Sequence, residues 1–391
     1  MNKQPQLPLS PSVANQKPYP FAALEARRKA MQERGVDMID LSIGDPKEIT
    51  PDPMKRALIE ALDAPSSYPR VLGTDELRGA ITDWIHRRFG VELDPDRHVL
   101  PTNGSKEAVF TLPLAVVDRD RRPVVLAPDP AYPVYELGVE AAGGEFVRTP
   151  LLAGNNFLPD LDAIPESTWK RTSLLWINYP NNPTGAVAPP DFLEAAVRKC
   201  REHGVLLASD EAYTEIWFEE PPHTALEWGT ENVVILHTLS KRSAMPGYRS
   251  GFMAGDERLM DALKRFRPGV GVATPGFVQA AAKVAWDDQT HVDVIRERFK
   301  SRRNVVVEGL RELGFTVSAA PATIYVWAAL PGGESSEEFV SRCIEAGVVL
   351  LPGVAMGPSG EGYVRVSLTV NEDQLAEAVR RMGGALQRGQ A

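Results

Sequence analysis

The sequence predicts an α/β protein built on a mainly parallel sheet that is covered by helices on both faces. Short apolar runs recur along the chain, separated by stretches long enough for helices, of which Asp191–His203 is one. The runs are Val124–Ala127, Leu174–Ile177, Val205–Ala208, Val233–Leu236 and Gly251–Ala254. Nearly continuous apolar runs are typical of strands buried on both faces, and their alternation with helical segments favours parallel strands joined by helices.

The C-terminal part of the sequence predicts a second, smaller α/β unit. From Val292 to about Leu313 the apolar residues follow helical spacing with charged residues between them, which predicts one long amphipathic helix. Beyond it we predict strands at Phe315–Val317, Ile324–Val326, Val348–Leu351 and Tyr363–Ser367, and helices at Ser336–Ala346 and Glu372–Met382. The proline-rich opening is too irregular to fold alone. We therefore expect a large domain of residues 48–288 and a small domain of residues 1–47 and 289–391.

The composition is that of an ordinary globular protein, since 43% of the 391 residues are hydrophobic. A formal net charge of -9 argues against a nucleic-acid-binding surface or an anionic-membrane anchor, because both need clustered positive charge. Cys200 and Cys343 form neither a metal-like spacing nor a disulfide framework. Residues 1–16 lack the apolar core of a signal peptide, and no apolar run of about 18 residues occurs. We expect a cytoplasmic protein with neither nucleic acid nor membrane as a partner.

A lysine directly after the predicted strand Val233–Leu236 is the first candidate for a catalytic residue. The stretch Thr238–Gly251 contains Ser240, Lys241 and Arg249. A lysine that leaves the sheet can form an imine with an aldehyde cofactor, while hydroxyls and an arginine around it can bind a phosphate. An isolated lysine is most often solvated, so this interpretation depends on the neighbouring residues.

This stretch resembles the lysine-attachment signature of class I and II aminotransferases, which are pyridoxal-phosphate enzymes of the type I fold. The resemblance implies that Lys241 holds pyridoxal 5'-phosphate as an imine and that Thr238, Ser240 and Arg249 bind its phosphate. Thr238 replaces the usual serine or glycine but keeps a hydroxyl, and Ser250 replaces a usual aliphatic residue. The resemblance covers most of the chain, with the motifs in the family order.

A second strand of the predicted sheet ends in a carboxylate at Asp210, followed by Tyr213. An aspartate there would keep the cofactor's pyridine nitrogen protonated, and a protonated ring is the electron sink that stabilises a carbanion at the substrate's α-carbon. Tyr213 matches the family tyrosine that donates a hydrogen bond to the phenolic oxygen of the cofactor. The alternatives are a helix N-cap for Asp210 and a core position for Tyr213.

Three further motifs match cofactor contacts of the family. The loop Asn181-Asn182-Pro183-Thr184-Gly185 resembles the one whose second asparagine, here Asn182, binds the phenolic oxygen. Gly104 opens a predicted helix whose first amides, from Ser105 and Lys106, suit a phosphate dianion. Tyr132 matches the aromatic residue that stacks on the pyridine ring. Turn chemistry, a helix cap and simple packing are the alternatives.

The substrate and the partner subunit account for the remaining matches. Arg365 resembles the arginine that binds the substrate α-carboxylate in a bidentate fork, a geometry that arginine suits better than lysine. Its alternative is a surface ion pair. Gly44 matches the segment that lies over the substrate, and Tyr68 matches a tyrosine that reaches the phosphate of the neighbouring subunit. The resemblance thus implies a homodimer with shared sites.

The implied reaction is ping-pong amino transfer, in which the freed Lys241 moves a proton between the substrate's α-carbon and the cofactor. Within the family, Tyr19-Pro20-Phe21 and Lys47 resemble enzymes that act on N-succinyl-LL-2,6-diaminopimelate and 2-oxoglutarate, giving glutamate, in bacterial lysine biosynthesis. Lys47 or Arg242 is a candidate for the distal carboxylates, although a solvated surface charge is the commoner role of such residues.

Other functions remain open at this stage. The same motifs serve aminotransferases of alanine, aspartate or aromatic amino acids, and carbon–sulfur β-lyases on the same fold. A DNA-binding regulator with an aminotransferase-like domain is not expected, because too few residues precede Tyr19. The glycines of Gly269–Gly276 lack the spacing of a phosphate or dinucleotide loop, and we find no zinc-type histidine motif. We therefore expect no metal.

Overall fold

The computed structural model describes residues 7, 9, 11–14, 20–63, 67–271, 273–318 and 320–389. Tyr19, one of the residues that suggested a substrate, lies outside these ranges. Among the described residues, no helix combines the length and apolarity that crossing a bilayer requires.

The strands recur through the whole chain, as the apolar runs predict. They are β1 (Ile39–Asp40), β2 (Val99–Thr102), β3 (Val124–Asp129), β4 (Glu145–Pro150), β5 (Thr172–Asn178), β6 (Leu206–Asp210), β7 (Val233–Thr238), β8 (Gly251–Gly255), β9 (Thr316–Val317), β10 (Tyr325–Ala329), β11 (Val348–Val349), β12 (Leu351–Pro352) and β13 (Tyr363–Ser367).

The α-helices alternate with these strands. They are α1 (Pro11–Ala14), α2 (Pro20–Glu33), α3 (Asp52–Glu60), α4 (Asp75–Phe89), α5 (Pro95–His98), α6 (Ser105–Val116), α7 (Val134–Ala142), α8 (Glu166–Trp169), α9 (Pro190–His203), α10 (Leu239–Arg242), α11 (Glu257–Phe266), α12 (Gly276–Asp287), α13 (Thr290–Glu312), α14 (Ser336–Glu345) and α15 (Glu372–Gly389).

The main sheet has seven strands in the order β2-β8-β7-β6-β5-β3-β4. Strands β4, β3, β5, β6 and β7 run parallel, whereas β8 is antiparallel to both β7 and β2. The prediction of a mainly parallel sheet is therefore confirmed. The parallel strands end at the same edge, where Asn178 pairs with Asp210, and Thr238 lies two residues beyond Leu236, the partner of Asp210 on β7.

Alternate residues of this sheet pack into two separate cores. On one face, residues such as Ile177, Leu207 and Ile235 pack against α4, α9 and α12. On the other face, neighbours such as Trp176 and Ala208 pack against α6, α7 and α11. Because side chains alternate along a strand, a strand buried on both faces must be apolar throughout, and this explains the continuous runs in the sequence.

A smaller antiparallel sheet, in the order β12-β13-β10-β9, forms the C-terminal part. Its core includes residues of α13, α14 and α15 together with Leu24, Ile39 and Leu41 from the N-terminal segment. Strand β1 pairs with β11, so the predicted single strand Val348–Leu351 is wrong: β11 joins β1 and β12 joins β13. The division into domains at residues 48 and 289 stays a prediction.

Candidate active site

A cavity of about 400 Å³ opens at the carboxyl edge of the main sheet. It is lined by all the predicted site residues except Tyr68, namely Gly44, Ser105, Lys106, Tyr132, Asn182, Asp210, Tyr213, Thr238, Ser240, Lys241, Arg249 and Arg365. These residues come from both sheets and from the N-terminal segment. Tyr68 is 96% exposed in the single chain and lies outside this cavity, so its proposed reach to a neighbouring subunit stays a prediction.

Lys241 lies on the short helix α10, directly after β7, and its Nζ donates a hydrogen bond to the carbonyl of Gly44. Thr238 caps this helix, with its Oγ1 accepting from the Ser240 amide at 3.2 Å. Burial lowers the pKa of the Lys241 ammonium, and although Tyr325 and Asp45 oppose this effect, Arg365 and Arg249 reinforce it. A buried lysine of lowered pKa is suited to act as a nucleophile or as a base.

Asp210 ends β6 and is buried at 6% exposure. Its Oδ2 accepts a 2.7 Å hydrogen bond from the Tyr135 hydroxyl, and its backbone carbonyl accepts one from Asn178 at 2.7 Å. Burial raises the pKa of this carboxyl, while the bonds from Tyr135 and the Ala212 amide lower it. Among the described residues no lysine or arginine forms an ion pair with Asp210, so a cation in the cavity would stabilise its ionised form.

Anion-binding groups collect at one end of the cavity. Helix α6 begins at Ser105, and its N-cap, Gly104, offers no side chain to the first amides. Gly104 has a φ of 77°, a conformation that favours glycine, and a Cβ there would lie 2.5 Å from Arg249 Nη2, so the arginine side chain would have to move. Helix amides, the hydroxyls of Thr238 and Ser240, and a guanidinium together form a site that suits a phosphate.

Arg365 lies at the opposite end, on β13, and is 3% exposed. Its Nη1 donates to Asn182 Oδ1 at 2.9 Å, and its Nη2 donates to the Ser42 carbonyl at 2.6 Å. Both of these acceptors are uncharged, and a planar guanidinium in the cavity wall suits a fork of two hydrogen bonds to a carboxylate. The bond to Asn182 links the two sheets across the cavity.

Three cavity residues were missed by the sequence motifs. Tyr135 bonds Asp210, Asn178 Oδ1 accepts from the Asn182 amide at 2.9 Å, and the Tyr325 hydroxyl lies 3.2 Å from that of Tyr213. Tyr135 stands three residues after Tyr132, but the sequence alone predicts an ordinary core position for an aromatic residue at that spacing. Their roles depend on contacts between distant segments, which no local spacing encodes.

Arg242 does not serve as a candidate for the distal carboxylates. Its guanidinium is 2% exposed, lies 4.9 Å from the ring centroid of Trp286 and bonds the carbonyl of Ala285. Arg242 does not line the cavity, because its side chain points from α10 into the core. Lys47 is exposed and does not line the cavity of the single chain.

The three groups of the cavity match the three parts of pyridoxal phosphate. The phosphate would bind at the α6 N-terminus with Ser240, Thr238 and Arg249, and the ring nitrogen would bind Asp210. Lys241 lines the same cavity, and its Nζ would form the imine with the aldehyde. The buried carboxylate of Asp210, which lacks a cationic side-chain partner among the described residues, is the observation that makes this fit specific.

Comparisons with known proteins point to one family. Residues 36–382 match the family model described as aminotransferase class I and II. The chain is 42% identical over 372 residues to the LL-diaminopimelate aminotransferase of Aquifex aeolicus, covering 93% of this chain and 96% of that protein.

Two solved structures from Thermus thermophilus are similar throughout. A probable N-succinyldiaminopimelate aminotransferase superposes with a TM-score of 0.87 at 33% identity, covering 93% of this chain and 99% of that chain. An aspartate aminotransferase solved with maleate superposes with a TM-score of 0.89 at 29% identity, covering 97% and 100% of the two chains.

Proposed function

Because the chain belongs to the class I and II aminotransferases, we propose that it exchanges an amino group between LL-diaminopimelate and the 2-oxoglutarate–glutamate pair, as a step of bacterial lysine biosynthesis. The enzyme is a pyridoxal-phosphate-dependent aminotransferase, as this family is. The observation that carries the proposal is Lys241 Nζ, held in one cavity with Asp210 and Arg365.

Bound pyridoxal phosphate supplies the electron sink that stabilises negative charge on the α-carbon of the substrate. Burial raises the pKa of Asp210. Asp210 would hold the proton on the ring nitrogen, and a positive charge there would lower this pKa. Tyr213 and Asn182 donate hydrogen bonds to the phenolic oxygen. Arg365 binds the α-carboxylate in a fork and so fixes which face of the α-carbon lies toward Lys241.

Lys241 Nζ has two tasks in this account. It holds the cofactor between turnovers, and once displaced by an amino donor it takes the proton from the α-carbon. A lysine titrates near 10.4 in water, so it acts as a base near neutral pH only when its pKa falls. Burial and the cations Arg365 and Arg249 act in that direction.

Two diaminopimelate substrates are candidates. The curated relative with 42% identity is named for the free LL form, and we favour that substrate. The N-succinyl derivative is the second candidate, since a structural neighbour at 33% identity carries that name. Both carry a second carboxylate far from the reacting carbon, and Lys47, which is exposed in the single chain, stays a prediction for binding it.

The experiment is a glutamate-production assay with 2-oxoglutarate and, in turn, LL-diaminopimelate, N-succinyl-LL-diaminopimelate, aspartate, alanine and phenylalanine. We expect the highest kcat/KM with LL-diaminopimelate. A preference for the succinylated form would select the second candidate, and a preference for aspartate, alanine or phenylalanine would reject both. Release of pyruvate from cystathionine without glutamate production would instead identify a β-lyase.

The proposal includes a cytoplasmic homodimer with shared sites. The ring of Tyr68 is 96% exposed in the single chain, so it is available to reach a neighbouring subunit. Mixing Tyr68→Phe subunits with Lys241→Ala subunits would test sharing. We expect partial recovery of activity in the mixture only if one subunit's tyrosine serves the other subunit's lysine.

A further inference from the structure

Tyr325 contacts three residues that have proposed roles in the cavity. It begins β10 and is 4% exposed. Its hydroxyl lies 3.2 Å from the hydroxyl of Tyr213, and the guanidinium carbon of Arg365 lies 4.1 Å from its ring centroid. A Cβ on Gly44 would overlap its hydroxyl group. Tyr325 therefore connects the cofactor-binding tyrosine with the carboxylate-binding arginine.

The backbone before Tyr325 is strained in a way that fixes this position. Thr323 has a φ of 76°, in the left-handed region that a β-branched residue rarely adopts. Its amide donates to the Ile216 carbonyl at 2.8 Å, and its Oγ1 accepts from the Tyr325 amide at 3.2 Å. Strain of this kind persists only where the surroundings impose it, and it is concentrated at functional sites.

Each of the two tyrosine hydroxyls has a single proton to donate, so the direction of their bond matters. Burial alone would raise the pKa of Tyr325, but the positive charges of Arg365 and Lys241 bring it below the ordinary value. Burial and Tyr325 raise the pKa of Tyr213 well above its ordinary value. Tyr325 is thus the stronger donor, and when it donates to the Tyr213 oxygen the Tyr213 proton is directed into the cavity.

We propose that Tyr325 is a positioning residue whose hydroxyl orients the Tyr213 proton toward the phenolic oxygen of the cofactor and whose ring supports Arg365 beneath the substrate carboxylate. This inference rests on the proposed function, because it presumes that the cofactor and an amino-acid carboxylate occupy the cavity. The two tasks use different atoms of one side chain, so they can be separated by substitution.

The test compares the holoenzyme with Tyr325→Phe, Tyr325→Leu and the control Tyr363→Phe. Phenylalanine removes only the hydroxyl, whereas leucine removes the ring as well. Tyr363→Phe deletes a tyrosine hydroxyl from the neighbouring strand β13, outside the cavity. The measurements are the pH at which the visible absorption of bound cofactor changes, kcat and KM for the amino donor, and the thermal midpoint of each variant.

We expect Tyr325→Phe to raise the pH of the spectral change and to lower kcat about 3- to 10-fold, the range of one hydrogen bond between uncharged groups, with KM within twofold of wild type. Tyr325→Leu should add a KM increase of about 10-fold, as cation–π contacts of this size predict. Tyr363→Phe should match wild type in every measurement except, at most, the thermal midpoint.

An unchanged spectral transition in Tyr325→Phe would overturn the orienting role, and equal KM values for the phenylalanine and leucine variants would overturn the supporting role. If the variants lose kcat only in proportion to their thermal midpoints, Tyr325 is structural and the proposal is wrong. Failure of the proposed function gives a different result, because the wild type would then form no glutamate from LL-diaminopimelate and 2-oxoglutarate, whereas the spectral comparison of the variants would still test Tyr325.

Discussion

The hydroxyl of Tyr135 donates a 2.7 Å hydrogen bond to Asp210 Oδ2, and both side chains are buried in the wall of the cavity. This bond holds one carboxylate oxygen and lowers a pKa that burial raises. Asp210 must be ionised to hold the proton of the cofactor's ring nitrogen. Tyr135 therefore helps to keep a buried carboxylate charged in a place where burial opposes charge.

Replacing Tyr135 with phenylalanine should narrow the pH range of activity on its acid side. Loss of the hydrogen bond raises the pKa of Asp210 further, so the acid limb of kcat moves to higher pH, and kcat near neutrality falls about 10-fold. Tyr179→Phe is the matched control, since it removes a buried tyrosine bond of 2.7 Å to the Phe157 carbonyl. An acid limb that shifts equally in both variants would contradict this role.

The ionised Asp210 carboxylate should lower the free energy of unfolding when no cofactor is bound. Because the folded pKa of Asp210 is raised, the unfolded chain ionises first as the pH increases, so the penalty is absent at low pH and complete above the folded pKa. Asp210→Asn should therefore raise the free energy of unfolding of the cofactor-free protein at pH 7, because it removes the buried charge. Denaturant unfolding at several pH values measures this.

The increase in the free energy of unfolding should disappear as the pH falls toward the range where Asp210 of the wild type is protonated in both the folded and the unfolded state. The same substitution should nearly abolish transamination, because an amide cannot hold the ring proton as an ionised partner does. If Asp210→Asn is less stable than wild type at neutral pH, the Asp210 carboxylate stabilises the cofactor-free fold. That result would contradict the expected cost of its buried charge.

The main sheet was predictable because each parallel strand is apolar throughout. Strand β4 was missed, since it lies at the sheet edge and the side chains of Glu145 and Arg148 are exposed there. The segment Val348–Leu351 was predicted as one strand because its four residues are all apolar. Its division between β1 and β13 depends on which neighbours pair with it, and the sequence does not encode that directly.

Most of the site was predictable because its residues sit in short motifs at strand ends. Lys241, Asp210 and Asn182 follow apolar runs, so their common location follows from the parallel topology. Tyr325 and Tyr135 were not predictable in this way, because their partners Tyr213 and Asp210 lie far away in sequence. From sequence alone, a tyrosine beside apolar residues is predicted to lie in the core. Only the fold shows which residue its hydroxyl contacts.

Arg365→Lys should weaken substrate binding more than it slows the chemical step. A lysine keeps the charge but loses the planar fork, so we expect KM for the amino donor to rise about 10- to 100-fold. Arg258→Lys, on the exposed start of α11, serves as the control. Steady-state kinetics would contradict bidentate carboxylate binding by Arg365 if KM of Arg365→Lys stays within twofold of wild type while kcat falls strongly.

Gly44→Ala should damage the site by volume alone. The added methyl group would overlap the Tyr325 hydroxyl, and overpacking of this kind costs about 1–3 kcal/mol, so kcat/KM should fall about 10-fold or more. Gly154→Ala is a matched control, because nothing lies within 4 Å of a Cβ there. A similar decrease in kcat/KM in both variants would mean that the effect of Gly44→Ala does not come from overlap with Tyr325.

The account depends most directly on Lys241, and the visible absorption spectrum of the purified protein tests it. After pyridoxal phosphate is added and the excess removed, we expect the wild type and the surface control Lys283→Ala to retain a cofactor band that changes on addition of glutamate and returns with 2-oxoglutarate. Lys241→Ala should not support this cycle. No band in the wild type, or a complete cycle in Lys241→Ala, would contradict the central claim.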